Sequence, residues 1–510
     1  VSALGRALGV GLLGMTGRLV EVEAHLAPAL PAFILVGLPD TSLTEAKVRV
    51  RAAVLSTGLG WPARRVTVNL TPAALPKHGP GFDLAIAVAV LGAAGTLDPE
   101  RTRGTVHLGE LGLDGRLRPV RGVLPAVAEA VARGHRRVVV PSADVPEAAL
   151  VPGAQVSGCA SLAEVMRLHG GTVRVPPSHP VPVSRGPSAA APVPGDLSDV
   201  IGQPAARGAL EVAAAGGHHL LLTGPPGAGK TMLAARLPGL LPNLDDSAAV
   251  EVSAVHSIAG TFDPSVGLIR RPPYEDPHHT ASAAAIVGGG TGWPRPGAAS
   301  RAHRGVLFLD EAPEFTSHVL QTLRQPLEHG ELVIHRAAGA VRFPARFQLV
   351  LAANPCPCGR GGGRGEDCTC TPQARRRYQA RLDGPLLDRI DLQVEVPPVR
   401  RLGGGTPGED SATVALRVAA ARAAQATRWS GDPWRTNAEV PGRRLRELLG
   451  AHPGLLADLD HAVSTGRLTL RGADRVLRIA WTLADLAGAD APHRDQIGRA
   501  LLLRTRGGHR

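Results

Sequence analysis

The sequence predicts a multidomain α/β protein, and three observations carry that prediction. Leu220 to Thr231 reads LLLTGPPGAGKT, an apolar strand end running into a glycine-rich turn and then a helical MLAARLPGLL. Val306-Leu307-Phe308-Leu309-Asp310-Glu311 is a second buried-strand pattern, ending in paired carboxylates. The length of 510 residues, 44% hydrophobic, exceeds one hydrophobic core and implies roughly two to four domains.

Residues 1–172 form the first unit. Leu19-Val20-Glu21-Val22-Glu23-Ala24 alternates as a strand does, and Ala32-Phe33-Ile34-Leu35-Val36 is an apolar strand closed by Gly37. Thr44 to Ser56 has helical spacing, with Val48, Ala52 and Leu55 on one face. Arg65 to Leu70 predicts a further strand, Asp83 to Leu91 a helix too apolar for a surface, and Val106 to Leu111 a strand before an Asp114-Gly115 turn. Gly122 to Ala132 reads as a helix and Arg137 to Val140 as a strand. An α+β or α/β domain with a mixed sheet follows.

Within this unit, Leu75-Pro76-Lys77-His78-Gly79-Pro80-Gly81-Phe82-Asp83 resembles the catalytic-serine loop of Lon-type proteases, whose fold is similar to that of ribosomal-protein S5. The resemblance puts Gly81 at the nucleophile position. Glycine offers no nucleophile, so no peptidase chemistry is expected there. A rigid loop ahead of a buried helix and a degenerate binding loop are the two readings left.

Residues 173–195, rich in Pro, Val, Ser and Ala without periodicity, predict a linker. Residues 196–400 hold the glycine-rich turn and the acid pair. Residues 401–410, with Gly403-Gly404-Gly405, mark a second break. Residues 411–506 are predominantly helical, over Thr413 to Thr427, Arg443 to Leu449, Leu455 to Thr465 and Arg471 to Ala487.

The turn Gly224-Pro225-Pro226-Gly227-Ala228-Gly229-Lys230-Thr231 fills the G-x-x-x-x-G-K-S/T pattern. Glycines let backbone N–H groups converge on phosphate oxygens, and the following helix adds its positive end. Lys230 suits the terminal phosphates of ATP and the Thr231 hydroxyl suits Mg²⁺. Asp310 suits the metal's water shell and Glu311 the polarisation of an attacking water. Phe347 to Pro355 predicts another buried strand ending in Asn354, an amide placed to orient that water.

The formal charge is +12, from 56 basic against 44 acidic residues, compatible with nucleic acid and equally with an arginine-rich composition. No apolar run reaches membrane-spanning length, and the first residues lack the charge and cleavage pattern of a secretory signal. Four of the five cysteines, Cys356, Cys358, Cys368 and Cys370, fall within fifteen residues. That clustering is unlike a disulfide-stapled fold and favours a reducing cytoplasm. The four thiolates could close a structural Zn²⁺ site, although C-x-C is tighter than the usual C-x₂-C; reduced cysteines in an irregular insertion are the other reading. Nearby, Arg360, Arg364, Arg375, Arg376, Arg377 and Arg381 outnumber Glu366 and Asp367, with Tyr378 offering a ring for stacking. Phosphate-backbone contact and a solvated loop are both open.

Gly224–Thr231, Leu307–Glu311, Asn354, Leu387-Asp388-Arg389-Ile390-Asp391 and Leu470-Arg471-Gly472 resemble the Walker A, Walker B, sensor 1, arginine finger and sensor 2 of AAA+ ATPases. Together with Gly216-Gly217-His218-His219, Pro277-His278-His279-Thr280, Ile286 to Gly290 and Leu323 to Glu328, the pattern is similar to the Mg-chelatase-like ATPases of the YifB/ComM type, over nearly the whole chain. The resemblance implies an N-terminal Lon-substrate/S5-like domain, an AAA+ αβα core and a C-terminal helical lid. It implies ATP and Mg²⁺ as cofactors, a homo-oligomeric ring of hexameric type, and Arg389 reaching the neighbouring subunit's γ-phosphate while Arg471 contacts the phosphates from the lid. Adjacent His278 and His279 would face opposite ways on a strand and make a poor metal pair, so they are assigned to a polar loop at the pore or subunit interface. The function implied is a DNA motor, helicase-like, acting in branch migration during recombination or transformation. A magnesium-chelatase subunit acting on a porphyrin is the alternative.

Overall fold

The structure is a computed structural model and describes residues 3–37, 41–72, 80–175, 181, 195–290, 294–336, 339–361, 368–382, 386–399, 408–450 and 453–504. The Pro/Lys/His stretch 75–79, most of the 173–195 linker, Gly403–Gly405, Arg364, Glu366 and Asp367 lie outside the described residues.

The N-terminal part is built on a mixed seven-stranded sheet in the spatial order 32–36, 65–71, 16–27, 3–13, 106–107, 137–141, 155–159. The alternation at Leu19–Ala24 is the middle of strand Thr16–Ala27, with Val20, Val22 and Ala24 fully buried. Its antiparallel hairpin partner, Ala3–Leu13, has no sequence signature because Gly5, Gly9 and Gly11 interrupt the apolar period. The glycines have a packing reason: a Cβ on Gly5 would stand 2.1 Å from the Ala89 carbonyl oxygen. Helix Asp83–Ala93, with ten of its eleven residues buried, lies directly on that bared strip of sheet. Asp83 at its start is fully buried and accepts from Arg49 Nε at 2.6 Å and from Leu111 N at 3.2 Å.

Two expectations change here. Helix Thr41–Ser56 buries Leu43, Ala46, Val50, Ala53 and Val54, while Val48 and Leu55 are 66% and 48% exposed. The helix carries two apolar stripes, so periodicity alone picked the wrong one. The strand expected over 106–111 is broken into Val106–His107 and Glu110–Leu111, and only the first joins the large sheet.

The central part is a five-stranded sheet, all parallel, in the order 274–275, 306–309, 348–353, 220–223, 392–395. Both faces are covered, which is why its strands read as unbroken apolar runs. On one face Leu220, Leu222, Phe308, Val350 and Leu392 share an apolar cluster with helices Pro204–Gly216 and Lys230–Leu240 and with the C-terminal helices Ser411–Arg428 and Leu470–Leu486. On the other, Leu221, Leu307, Leu309, Leu349 and Leu351 pack against Phe315, Leu323 and Ile390. The C-terminal helices therefore share one core with the sheet. Helix Asp246–Ala259, unmarked in the sequence, sends Ala254 into a cluster with Val10, Val123 and Val127 and so joins the N-terminal sheet to the centre.

Candidate nucleotide site

Strand Leu220–Thr223 stops at Gly224, where a Cβ would lie 2.2 Å from the Val396 carbonyl oxygen; only glycine allows that approach. Pro225 is half-buried, Pro226 and Gly227 form the exposed tip, and Ala228 is buried beneath it. Gly229, at φ +93°, turns the chain into helix Lys230–Leu240. The Lys230 ammonium sits inside the loop, donating to Gly224 O at 2.7 Å, Pro225 O at 3.0 Å and Asn354 Oδ1 at 3.0 Å. Burial lowers its pKa, opposed by the nearby Asp310 and Glu311 charges. A cation caged by carbonyl oxygens, with no carboxylate paired to it among the described residues, is poised for an incoming anion.

The Thr231 hydroxyl donates to Asp310 Oδ2 at 2.6 Å, and Glu311 N donates to Asp310 Oδ1 at 2.8 Å. Hydroxyl and carboxylate oxygens side by side are the hard-oxygen donors that Mg²⁺ prefers. Glu311 takes a left-handed backbone, φ +50°, and its carboxylate is exposed. The strands that end in the loop and in the acid pair are not adjacent. Strand Gln348–Ala353 runs between them, and this is what delivers Asn354 to Lys230.

The histidine pair lies on a loop, the kind of segment expected for it. His278 and His279 are not on a strand; their rings lie 4.1 Å apart, and His279 Nδ1 is 3.3 Å from Glu311 Oε2. His278 is tied to Thr280 Oγ1 at 2.8 Å. The sequence reading gave this loop no chemistry because nothing in sequence links residue 279 to residue 311.

Lys230, Thr231, Asp310, Glu311 and Asn354 are thus brought together. Arg389 and Arg471 belong to a second group with Arg324 and Arg475, whose charges, after burial, lower the Arg389 pKa. Arg389 forms an ion pair with Glu328, and Arg471 is exposed at the start of helix Leu470–Leu486. Sequence reasoning missed Arg475, one turn further along that helix. It donates to Arg389 O at 3.1 Å and to buried Asp391 at 2.6 Å, fastening the Leu387–Arg389 turn to the helix that carries Arg471. His218 adds to this joint through Asp391 at 3.3 Å and Thr482 Oγ1 at 2.8 Å.

The four cysteines converge. Their sulfurs all lie within 4.8 Å of one another, with Cys356–Cys358 at 3.3 Å and Cys368 at 3.7 Å from each. A tetrahedron of thiolates at a Zn–S distance of about 2.3 Å has edges of about 3.8 Å, so the donor set fits. Gly359 abuts Pro226: a Cβ there would meet its ring at 2.6 Å. The cysteine turn therefore rests on the tip of the phosphate loop. Of the basic patch, Arg376 and Arg377 are exposed, but Arg381 bonds Pro313 O at 3.0 Å, and Tyr378 is 5% exposed and cannot present a ring for stacking.

A phosphate loop, an acid pair and a polar amide at the carboxyl ends of three parallel strands define a P-loop nucleoside-triphosphatase architecture. Family profiles for magnesium chelatase subunit ChlI match residues 22–144 and 196–402, and the profile for its C-terminal part matches 408–504. An uncharacterized protein of Mycobacterium tuberculosis H37Rv is 50% identical over 513 residues, covering all of both chains. Competence protein ComM of Haemophilus influenzae is 40% identical over 492 residues, 96% of this chain and 95% of that one. Uncharacterized protein YifB of Escherichia coli K12 is 40% identical over 499 residues, again 96% and 95%. The chain belongs to the Mg-chelatase-like AAA+ ATPases of the YifB/ComM type.

Proposed function

We propose that this protein is a Mg²⁺-dependent ATPase working as a homo-oligomeric ring, hexameric by family resemblance, in the cytoplasm and acting on DNA. The observation that carries the hydrolytic reading is the joint placement of Lys230, Thr231, Asp310, Glu311 and Asn354. Lys230 and the backbone of Gly224 to Gly229 bind the phosphates. Thr231 and Asp310 hold the metal, Glu311 polarises the attacking water, and Asn354 orients it. A Mg²⁺ ion held there would neutralise phosphate charge. The helices of residues 411–506 act as the lid, with Arg471 reporting phosphate state from it and the 1–172 unit as the Lon-substrate/S5-like domain. Arg389 completes a neighbour's site: in an arginine cluster, it is suited to meet a γ-phosphate across an interface. Cys356, Cys358, Cys368 and Cys370 hold one structural Zn²⁺ that stiffens the turn under Pro226.

DNA as the object of the work is supported by the name of the competence relative, the +12 charge and the exposed Arg376 and Arg377. The chelatase reading is supported by the family profiles' names. Steady-state ATP turnover with and without forked DNA separates the two. Stimulation several-fold by forked or four-way DNA is the expected result; no response to any DNA, with response to a chelatase partner subunit, would replace the motor reading by the other.

A further inference from the structure

The residues just before three strands of the parallel sheet, His219, Gly305 and Phe347, lie at the opposite end from the phosphate loop. With residues 433–439 and two C-terminal helices they enclose a cleft of about 670 Å³, the size of a nucleotide-like ligand. Arginines outnumber carboxylates along its lining. Arg422, on helix Ser411–Arg428, donates Nε and Nη2 to Ala214 O at 3.0 and 2.7 Å. Arg478, on helix Leu470–Leu486, donates Nε to Val440 O at 2.8 Å. Among the described residues neither has an ion-pair partner, although both are shielded enough that burial lowers their pKa values, Arg422 to about 10.

The carboxylates lining the cleft are already engaged. Asp245 pairs with Arg435 at 3.5 Å, Glu439 accepts from Arg435 N at 2.7 Å, and Glu328 is held by Arg389. The acidic charges acting on the two half-buried guanidinium groups are Glu439 for Arg422 and Asp391 for Arg478, neither in an ion pair with them, and shielded cations of this kind gain when a ligand supplies negative charge. Exposed Arg346 adds a third guanidinium, and half-buried Trp434, edge-on to Trp429 at 6.0 Å, adds a flat apolar wall. Cations beside one indole suit phosphates joined to a planar group.

We propose that this cleft is a second anion site, binding a small phosphate-bearing ligand of nucleotide size independently of the phosphate loop. One wall is Glu328, the ion-pair partner of Arg389, so occupancy is placed to bear on the finger arginine.

The test uses the full chain carrying Lys230→Ala, which disables the phosphate loop, titrated calorimetrically with pyrophosphate, ADP and a single-stranded oligothymidylate. The expected result is saturable binding of ADP or pyrophosphate near one per chain. Arg346→Gln, an exposed change that leaves folding intact, should weaken it about tenfold, as loss of one charge-assisted hydrogen bond does; Arg422→Gln should weaken it more if that variant folds. No binding of either small probe to Lys230→Ala would overturn the proposal. So would binding unchanged by Arg346→Gln and Trp434→Phe, or binding of the oligonucleotide alone, which would make the cleft a nucleic-acid groove.

Discussion

The two ends of the five-stranded sheet are built from opposite kinds of sequence. At the carboxyl end, eight consecutive residues make the phosphate loop, two consecutive residues make the acid pair, and one strand end supplies Asn354. At the amino end, the charged and polar groups come from distant segments: His218 and His219 before one strand, Asp391 before another, Arg422, Arg475 and Arg478 from the helices. The first end is local and was legible as motifs. The second is assembled only by folding.

That contrast explains what the sequence did and did not disclose. The phosphate loop, the acid pair, the helix Asp83–Ala93 and the C-terminal helices could be read because their signals span a few adjacent residues. The His279–Glu311 contact, the Arg475–Asp391 joint and the position of Asn354's strand between the other two depend on strand order, which no local pattern encodes. Strand Ala3–Leu13 was hidden for a different reason: the glycines that let a helix approach it also erase its apolar alternation. Tyr378 shows the reverse error, a residue type suited to a role but turned inward.

If the carboxyl end binds and activates ATP while the amino end holds the joint and an arginine offered to a neighbouring subunit, mutations should sort by end. The largest effect expected is at the finger. Arg389→Ala should cut ATP turnover by about 10³-fold or more while nucleotide affinity changes little; wild-type and variant subunits mixed in one ring should recover part of the activity if the arginine acts across an interface.

Asp391→Asn probes the joint itself. Breaking a buried ion pair costs about 3–5 kcal/mol, read as a lower melting temperature with nucleotide affinity nearly intact. Burial would raise the Asp391 pKa, but the hydrogen bond from His218 and the Arg475 and His218 charges hold it well below its ordinary 3.8. A depressed carboxylate pKa stabilises the fold above the unfolded value, and that stability is lost as pH falls below about 4. The variant should therefore show a shallower acid limb in urea-unfolding measurements between pH 5 and pH 3.

A smaller effect is expected at His279→Ala, which frees the Glu311 carboxylate to wander. Misplacing a catalytic group lowers kcat by about tenfold, with KM nearly unchanged; His279→Gln, which can still hydrogen-bond Glu311, should recover part of the loss. The smallest is at the cysteine turn. Removing the metal with a chelator should release about one zinc per chain and soften the Pro226 contact, lowering nucleotide affinity a few-fold; purified protein free of zinc with unchanged affinity would remove the metal from the account.

The central claim is that the groups at the carboxyl end of this sheet hydrolyse ATP. Paired measurement of ATP turnover and nucleotide binding on the wild-type chain and on Glu311→Gln tests it most directly. The account predicts Mg²⁺-dependent turnover that falls at least about 100-fold in the variant, with ATP still bound. Equal turnover in both proteins, or a variant that loses binding and turnover together while folded, would contradict it.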